Sequence, residues 1–298
     1  MKLFENLVLE GGGVKGLAYI GALKALNDTN LIKDIKRVVG TSVGSMFAVF
    51  VACKVNNEII DKYGLSIFNK ITEQHDSFFR EILNFYESRA LHNNTIIYDS
   101  INLLLYEIYN IHNMTFSQLY EKTNVELTIV SSCISTESVT YFNHMNYPDL
   151  EVAKCVQMST AIPFFYTPVT FNDTLWVDGG IVDNFPINFY DDCDGNYNDL
   201  TLGLYFKSDD DMITQINTSS YLGLIEAIEN TQLESNIRQS IGNVNDRNII
   251  SINVGKISPI DFKLSYESKK KLIDNGYNAV QEFLKPKSLY DRITSYFY

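Results

Sequence analysis

The chain has 298 residues, 45% hydrophobic and 20% charged, with a net charge of −12. That composition fits one large α/β domain, or two small ones, with an ample core. The acidic balance excludes a nucleic-acid binder, which needs a basic face, and argues against electrostatic capture by anionic lipid. Cys53, Cys133, Cys155 and Cys193 show no paired metal spacing and read as reduced thiols of an intracellular protein. Residues 1–6 lack the apolar stretch of a signal peptide, and the longest uncharged runs, 38–53 and 155–172, are interrupted and too short to span a bilayer. The expectation is a cytoplasmic chain, peripheral to membranes at most.

In chain order, residues 7–9 form a short β-type run that ends at Glu10-Gly11-Gly12-Gly13-Val14-Lys15-Gly16. Leu17, Ile20, Leu23, Ala25 and Leu26 then share one helical face, so the first unit is strand, glycine loop, helix. A second apolar run ends in Gly40-Thr41-Ser42-Val43-Gly44, followed by an apolar helical run over 46–53. Residues 56–120 read as helical, with apolar positions that include Ile60, Tyr63, Ile67, Ile71, Phe78, Phe79, Ile82, Tyr86, Ile101, Leu104 and Leu105. Most of these are core residues; exposed aromatics among them would suit a lid or a lipid-facing rim. Strands are expected over 125–131 and 139–142, and a helix over 152–158 leading into the loop 159–165. A short strand over 175–178 delivers Asp178 to Gly179-Gly180. Further strands are expected over 200–206 and 247–254, and helices over 222–237 and 265–284, the last with Leu272, Ile273, Tyr277, Val280 and Leu284 on its apolar face. The aromatic tail 289–298 is expected to dock on the core. No repeat, low-complexity tract or linker divides the chain, so residues 1–298 read as one domain.

Gly-x-Ser-x-Gly between a strand and a helix is the pattern of a nucleophile elbow. Gly40 and Gly44 flank a strained turn that would present Oγ of Ser42, and the next helix start offers N–H groups and a positive dipole end. Three functions compete for the first glycine loop. A dinucleotide site wants an acid at the end of the second strand, and that strand ends in Gly40-Thr41-Ser42. A phosphate loop wants Lys-Ser/Thr after its last glycine, and Leu17-Ala18 stands there. An oxyanion hole built from Gly11, Gly12, Gly13 and Val14, with the N–H groups of Gly12 and Gly13 as donors, makes sense of the neighbouring elbow. Lys15 and Gly16 would support it.

A serine hydroxyl needs a base. His75, His92, His112 and His144 all precede Asp178, so a Ser-Asp-His order through Asp178 is excluded. The alternative is a two-residue device in which Asp178 takes the proton of Ser42 and returns it to the leaving alcohol. From its own segment Asp178 reads equally as an ordinary Asp-Gly turn, with Gly179 and Gly180 giving the bend.

Four blocks in order resemble the patatin-like phospholipase family: Gly11-Gly12-Gly13-Val14-Lys15-Gly16, Gly40-Thr41-Ser42-Val43-Gly44, Ser159-Thr160-Ala161-Ile162-Pro163-Phe164-Phe165, and Asp178-Gly179-Gly180 with Asn184 and Pro186. The resemblance covers about residues 5–190. Lys15 stands where the family often has Arg, and Tyr166-Thr167-Pro168 replaces a Pro-Pro pair. The resemblance implies a three-layer α/β/α fold with a mostly parallel central sheet and a Ser-Asp dyad. It also implies hydrolysis of fatty acyl esters of phospholipids or related lipids at a membrane surface, without metal or other cofactor. Some members need a protein activator. The rival readings are a silent lipid-binding scaffold of the same fold and, on the glycine loop alone, a dinucleotide-binding oxidoreductase.

Overall fold

The computed structural model describes residues 3–73, 90–208, 227, 231, 248–261 and 263–285. Its centre is an eight-stranded sheet. The strands are β1 (Asn6–Leu9), β2 (Arg37–Thr41), β3 (Glu126–Cys133), β4 (Ser138–Phe142), β5 (Val169–Phe171), β6 (Thr174–Asp178), β7 (Thr201–Ser208) and β8 (Asn248–Gly255). Along the sheet the order is β5-β6-β3-β2-β1-β7-β8, with β4 added to β3. The run β3-β2-β1-β7-β8 is parallel throughout, and the β4, β5 and β6 pairings are antiparallel. The mostly parallel α/β sheet is therefore the one expected. Its central strands read as unbroken apolar runs because both faces are covered.

Helices α1 (Leu17–Asp28), α2 (Val43–Ala52), α3 (Asn57–Glu73), α4 (Thr95–Tyr109), α5 (Phe116–Thr123), α6 (Val152–Ser159) and α7 (Tyr266–Leu284) build the helical layer. Leu7, Leu9 and Val38 point into the large core formed with these helices. Alternation sends Val8, Val39 and Val130 to the other face, where Phe185, Ile187 and Tyr190 cover them. All ten residues of α2 are buried. Phe47 of α2 stacks among Tyr19, Phe50 and Phe68, and truncating it to Ala would cost about 3–5 kcal/mol. Gly21 of α1 and Gly276 of α7 let these helices touch backbone to backbone: a Cβ on Gly21 would lie 1.8 Å from the Ile273 carbonyl oxygen.

Two elements differ from expectation. Helix α2 starts at Val43, ahead of the apolar run at 46–53, because the Ser42 carbonyl accepts from the N–H groups of Ser45 and Met46. Strand β5 was not foreseen. It is three residues long, and Asn172 and Asp173, both at positive φ (47° and 58°), turn it back onto β6. The helix expected over 222–237 lies outside the described residues apart from Ala227 and Thr231, and Phe78, Phe79, Ile82, Tyr86 and the tail 289–298 also lie outside them.

One feature of the sheet positions the site. Residues 126–130 of β3 pair with β2, and 131–133 pair with β6, while β4 occupies 129–133 on the opposite edge. Strands β2 and β6 thus approach along the same edge of β3 from opposite ends. They stop at consecutive positions, Thr41 beside Val130 and Asp178 beside Ser131.

Candidate active site

The residues that follow Thr41 and end β6 meet head-on. Ser42 Oγ donates to Asp178 Oδ2 at 2.6 Å across 136 residues of sequence. Both side chains are buried. Ser42 has φ 52° and ψ −125°, a conformation that strains an L-residue and that the surrounding contacts must enforce. They do so at close quarters. A Cβ on Gly40 would lie 2.4 Å from the Gly44 carbonyl oxygen, and one on Gly44 would lie 2.3 Å from that of Leu9. Ser45 Oγ donates to the Ser42 carbonyl, and the Ser42 N–H donates to Ser159 Oγ at 2.9 Å. Ser159 ends α6, and two residues on, the Ala161 carbonyl accepts from the Asp178 N–H at 2.9 Å. The 159–165 block therefore ties the two strand ends together.

Asp178 Oδ1 accepts from the Gly180 N–H at 2.8 Å, so Gly180 orients the carboxylate while Oδ2 faces the serine. Gly179 packs against the Val130 carbonyl. Burial pushes the Asp178 carboxyl up to about 7, opposed by its hydrogen bonds from Ser42 and Gly180. A carboxylate with that affinity for a proton suits proton transfer near neutrality.

The glycine loop runs beside this pair. Of the four loop residues, the two not expected as donors are committed elsewhere: the Gly11 N–H donates to the Asn184 carbonyl at 2.9 Å and the Val14 N–H to the Pro259 carbonyl at 2.8 Å. Gly11 and Val14 thus frame the loop and supply no free donor. The N–H groups of Gly12 and Gly13 have no hydrogen-bond partner among the described residues. Their direction is set by their neighbours. In a trans peptide the carbonyl and the next N–H point oppositely. Asn184 Nδ2 holds the Gly11 carbonyl at 3.2 Å, and the Lys15 N–H holds the Gly12 carbonyl at 3.1 Å. Those two anchors turn the N–H groups of Gly12 and Gly13 the other way. Gly13 needs to be glycine: its φ is +54°, and a Cβ would lie 2.0 Å from the Pro259 carbonyl oxygen. Gly16 packs against Val43 of the elbow, and Lys15 lies in the single 3₁₀ turn before α1.

Sequence reasoning had no role for Glu10. It is buried at the root of the loop, where Oε2 accepts from the Phe206 N–H at 2.5 Å and Oε1 lies 3.4 Å from Asn184 Nδ2. Ser159 likewise carries no signal of its own beyond its place in the 159–165 block. Neither contact has a local signal, because each joins segments far apart in the chain.

Ser42 and Gly13 open onto a narrow, constricted pocket lined otherwise by Val43, Met46, Phe68, Ile71, Ile97, Thr160, Ile162 and Tyr166. The histidines stand elsewhere. His112 stacks on Tyr106 and His144 on Tyr120, while the His92 ring packs on Phe165. His75 lies outside the described residues.

A family model described as patatin-like phospholipase matches residues 7–189. The chain belongs to the patatin-like phospholipase family. Among its relatives, the "Uncharacterized protein R571" of Acanthamoeba polyphaga mimivirus is 30% identical over 281 residues, covering 93% of each chain. The "Probable lipid hydrolase 463L" of Invertebrate iridescent virus 6 is 26% identical over 187 residues, 63% of each. Two solved structures share the fold. VipD from Legionella pneumophila superposes with a TM-score of 0.60 at 19% identity, over 95% of this chain and 67% of VipD. ExoU of Pseudomonas aeruginosa, seen in a heterodimeric complex with SpcU, gives 0.53 at 20% identity, over 94% of this chain and 51% of ExoU. The chain thus spans about half to two thirds of those two proteins. Among the described residues no helix is long and apolar enough to cross a membrane.

Proposed function

We propose that this patatin-like protein is a serine acyl hydrolase of phospholipase A type, working through Ser42 and Asp178. The observation that carries the reading is the 2.6 Å hydrogen bond from Ser42 Oγ to Asp178 Oδ2 at an elbow. Asp178 takes the proton as Oγ attacks the ester carbonyl. The N–H groups of Gly12 and Gly13 receive the oxyanion, a contribution worth about 10²–10³-fold per donor in comparable sites. Asp178 then passes the proton to the leaving alcohol, and an acyl-enzyme remains. Water enters, gives its proton to Asp178, and frees the fatty acid as Oγ regains a proton. Every step uses this chain's own residues.

The apolar lining from Val43, Met46, Phe68, Ile71 and Ile97 supports an acyl chain as the group held beside Ser42. A phospholipid or related acyl lipid at a membrane surface is the substrate class, with the protein acting peripherally in the cytoplasm. A protein activator is compatible with this scheme. The pairing of β7 with both β1 and β8, and the packing of α7 on α1, support reading residues 1–298 as one domain in which the C-terminal elements complete the fold.

Product analysis on a mixed lipid extract tests the proposal. Wild type should release free fatty acid and lysolipid, Ser42→Ala neither; equal release by both would end it. A fluorophosphonate probe should label wild type at Ser42, and an inert Ser42 in the folded protein would instead favour the silent scaffold.

A further inference from the structure

Of the side chains lining the pocket beside Ser42, three carry hydroxyls and the rest are apolar. Ser42 donates to Asp178, and the Thr160 hydroxyl donates to the Val156 and Gln157 carbonyls of its own helix end. The third belongs to Tyr166, which is 2% exposed. Its hydroxyl is buried and has no hydrogen-bond partner among the described residues. Among the described residues it is the one such atom whose residue lines this pocket. A buried donor without a partner costs free energy, and native structures seldom keep one without a use. Phenylalanine would fill the same space without that cost. Burial holds the Tyr166 phenol well above its ordinary range, so it stays protonated and remains a donor.

A molecule that enters the pocket can supply an acceptor for this hydroxyl. On the acyl-hydrolase reading, on which this inference rests, the ester oxygens are already served: the carbonyl oxygen by Gly12 and Gly13, the leaving oxygen by the proton from Asp178. The acyl chain is what remains, and a plain hydrocarbon chain has no acceptor. We propose that Tyr166 selects lipids whose acyl chain carries an oxygen, such as a hydroxy, keto or epoxy group, at the depth of its hydroxyl. The saturated chain would leave the donor stranded, whereas the oxygenated chain pairs it. Sites built to hydrogen-bond a substrate group discriminate against analogues lacking it far better than apolar slots discriminate by size.

The test uses para-nitrophenyl dodecanoate beside a set of hydroxydodecanoate esters with the hydroxyl walked along the chain. At one or two positions the wild-type kcat/KM should exceed that of the plain ester about tenfold, in line with one buried hydrogen bond. In Tyr166→Phe the ratio of the two values should fall by about the same factor. Fluorophosphonate labelling of Ser42 in this variant checks that the site is assembled. A wild type with no preference at any position overturns the proposal whatever the variant does, and so does a preference that survives Tyr166→Phe. Equal losses on plain and hydroxylated esters would put the hydroxyl against the ester group instead and overturn it too. Hydrolysis of neither ester, with Ser42 unlabelled, would overturn the acyl-hydrolase reading and this one with it; hydrolysis of all esters alike removes this one alone.

Discussion

Two strand-turn-helix units stand side by side in the sheet, β1 with the glycine loop and α1, and β2 with the elbow and α2. Their strands are parallel and in register, Leu9 beside Gly40. Both turns are rich in glycine, yet they present opposite things. The elbow forces a side chain outward by placing Ser42 at φ 52°, and its own backbone N–H is spent on Ser159. The glycine loop presents no side chain at its tip and leaves two backbone N–H groups unspent. The lesson is that the accounting of backbone hydrogen bonds, more than glycine content, says what a turn is for. A turn that spends its amides exposes a side chain, and one that withholds them exposes a charge-binding surface.

Removing what the elbow presents should have the largest effect. Ser42→Ala, and Asp178→Asn with it, should each lower kcat for ester hydrolysis by about 10³-fold or more, measured by fatty acid release from vesicles. The two should differ in stability. The Asp178 carboxyl has its affinity for protons raised from 3.8 to about 7 in the folded protein. A raised value means that the native state holds the proton between about pH 4 and 7 when the unfolded chain has lost it. This contribution to stability is complete below about pH 4 and lost as pH rises through about 7, a change on the order of 4 kcal/mol. Asp178→Asn does not titrate, so at neutral pH it should melt several degrees above wild type while being inactive. A variant that melts lower would mean that Asp178 is not held as a desolvated carboxylate.

The loop is broken next. Gly13→Ala places a Cβ against the Pro259 carbonyl and strains a positive φ. The Val14 to Pro259 hydrogen bond must give way, and the Gly13 N–H moves with it. Loss of one oxyanion donor predicts a fall in kcat of about 10²-fold. Because the elbow does not depend on Pro259, Ser42 should still react with a small fluorophosphonate, only more slowly. Gly44→Ala is the contrasting break. Its Cβ would collide with the Leu9 and Glu10 carbonyls, which form the root of the glycine loop, so the two units should fail together. Retention of normal turnover by Gly13→Ala would separate the loop from the chemistry.

These two units were legible in the sequence because each is local. Glycine spacing, an apolar run before it and a helical period after it all fall within about fifteen residues of chain, a span that local rules cover. The Asp178-Gly179-Gly180 bend was legible as a bend, and the order of the histidines made Asp178 a candidate base for Ser42, but its place beside Ser42 was not legible. What brings them together is the division of one edge of β3 between β2 and β6. No local pattern encodes that; the elimination of the histidines and the ordered resemblance of four blocks anticipated the pairing but not the edge that makes it. The anchoring of the Gly11 and Val14 amides was illegible for the same reason, since Asn184 and Pro259, which take them, lie far along the chain. Glu10, Ser159 and Tyr166 act through burial and long-range contacts, so their side chains carried no signal until the fold was drawn. Strand β5 could have been found, because Asn172-Asp173 between Phe171 and Thr174 is a hairpin signal.

Asn184 sharpens the comparison at lower amplitude. Its backbone carbonyl holds the Gly11 amide and its side chain holds the Gly11 carbonyl, so it sets the tilt of the peptide that carries the Gly12 N–H. Asn184→Ala keeps the first contact and removes the second. The expected result is a fall of about tenfold in kcat with KM little changed, because a donor aimed at the transition state is mistuned while the acyl pocket is untouched. A rise in KM alone would assign Asn184 to substrate binding.

The smallest effect is the most instructive, because neither unit asks for an imidazole. With Asp178 required as a base and its carboxyl pushed up to about 7, log kcat/KM should rise with pH at unit slope and level off above about 7. Taken alone, that limb would be credited to a histidine, whose ordinary value is about 6.5. Replacing His75, His112 or His144 with Gln should leave both the plateau and the position of the limb in place. His112 and His144 are stacked on Tyr106 and Tyr120, with no contact to Ser42 or Asp178. His92 is the demanding case. Its backbone N–H donates to the Phe165 carbonyl and its backbone pairs with Tyr166, a wall of the pocket beside Ser42. His92→Gln should therefore raise KM for long-chain esters by a few fold through that wall, and still keep the limb near 7. A limb that vanished in His92→Gln, with Ser42 still labelled by a fluorophosphonate, would transfer the role of base from Asp178 to the imidazole and undo the two-residue scheme.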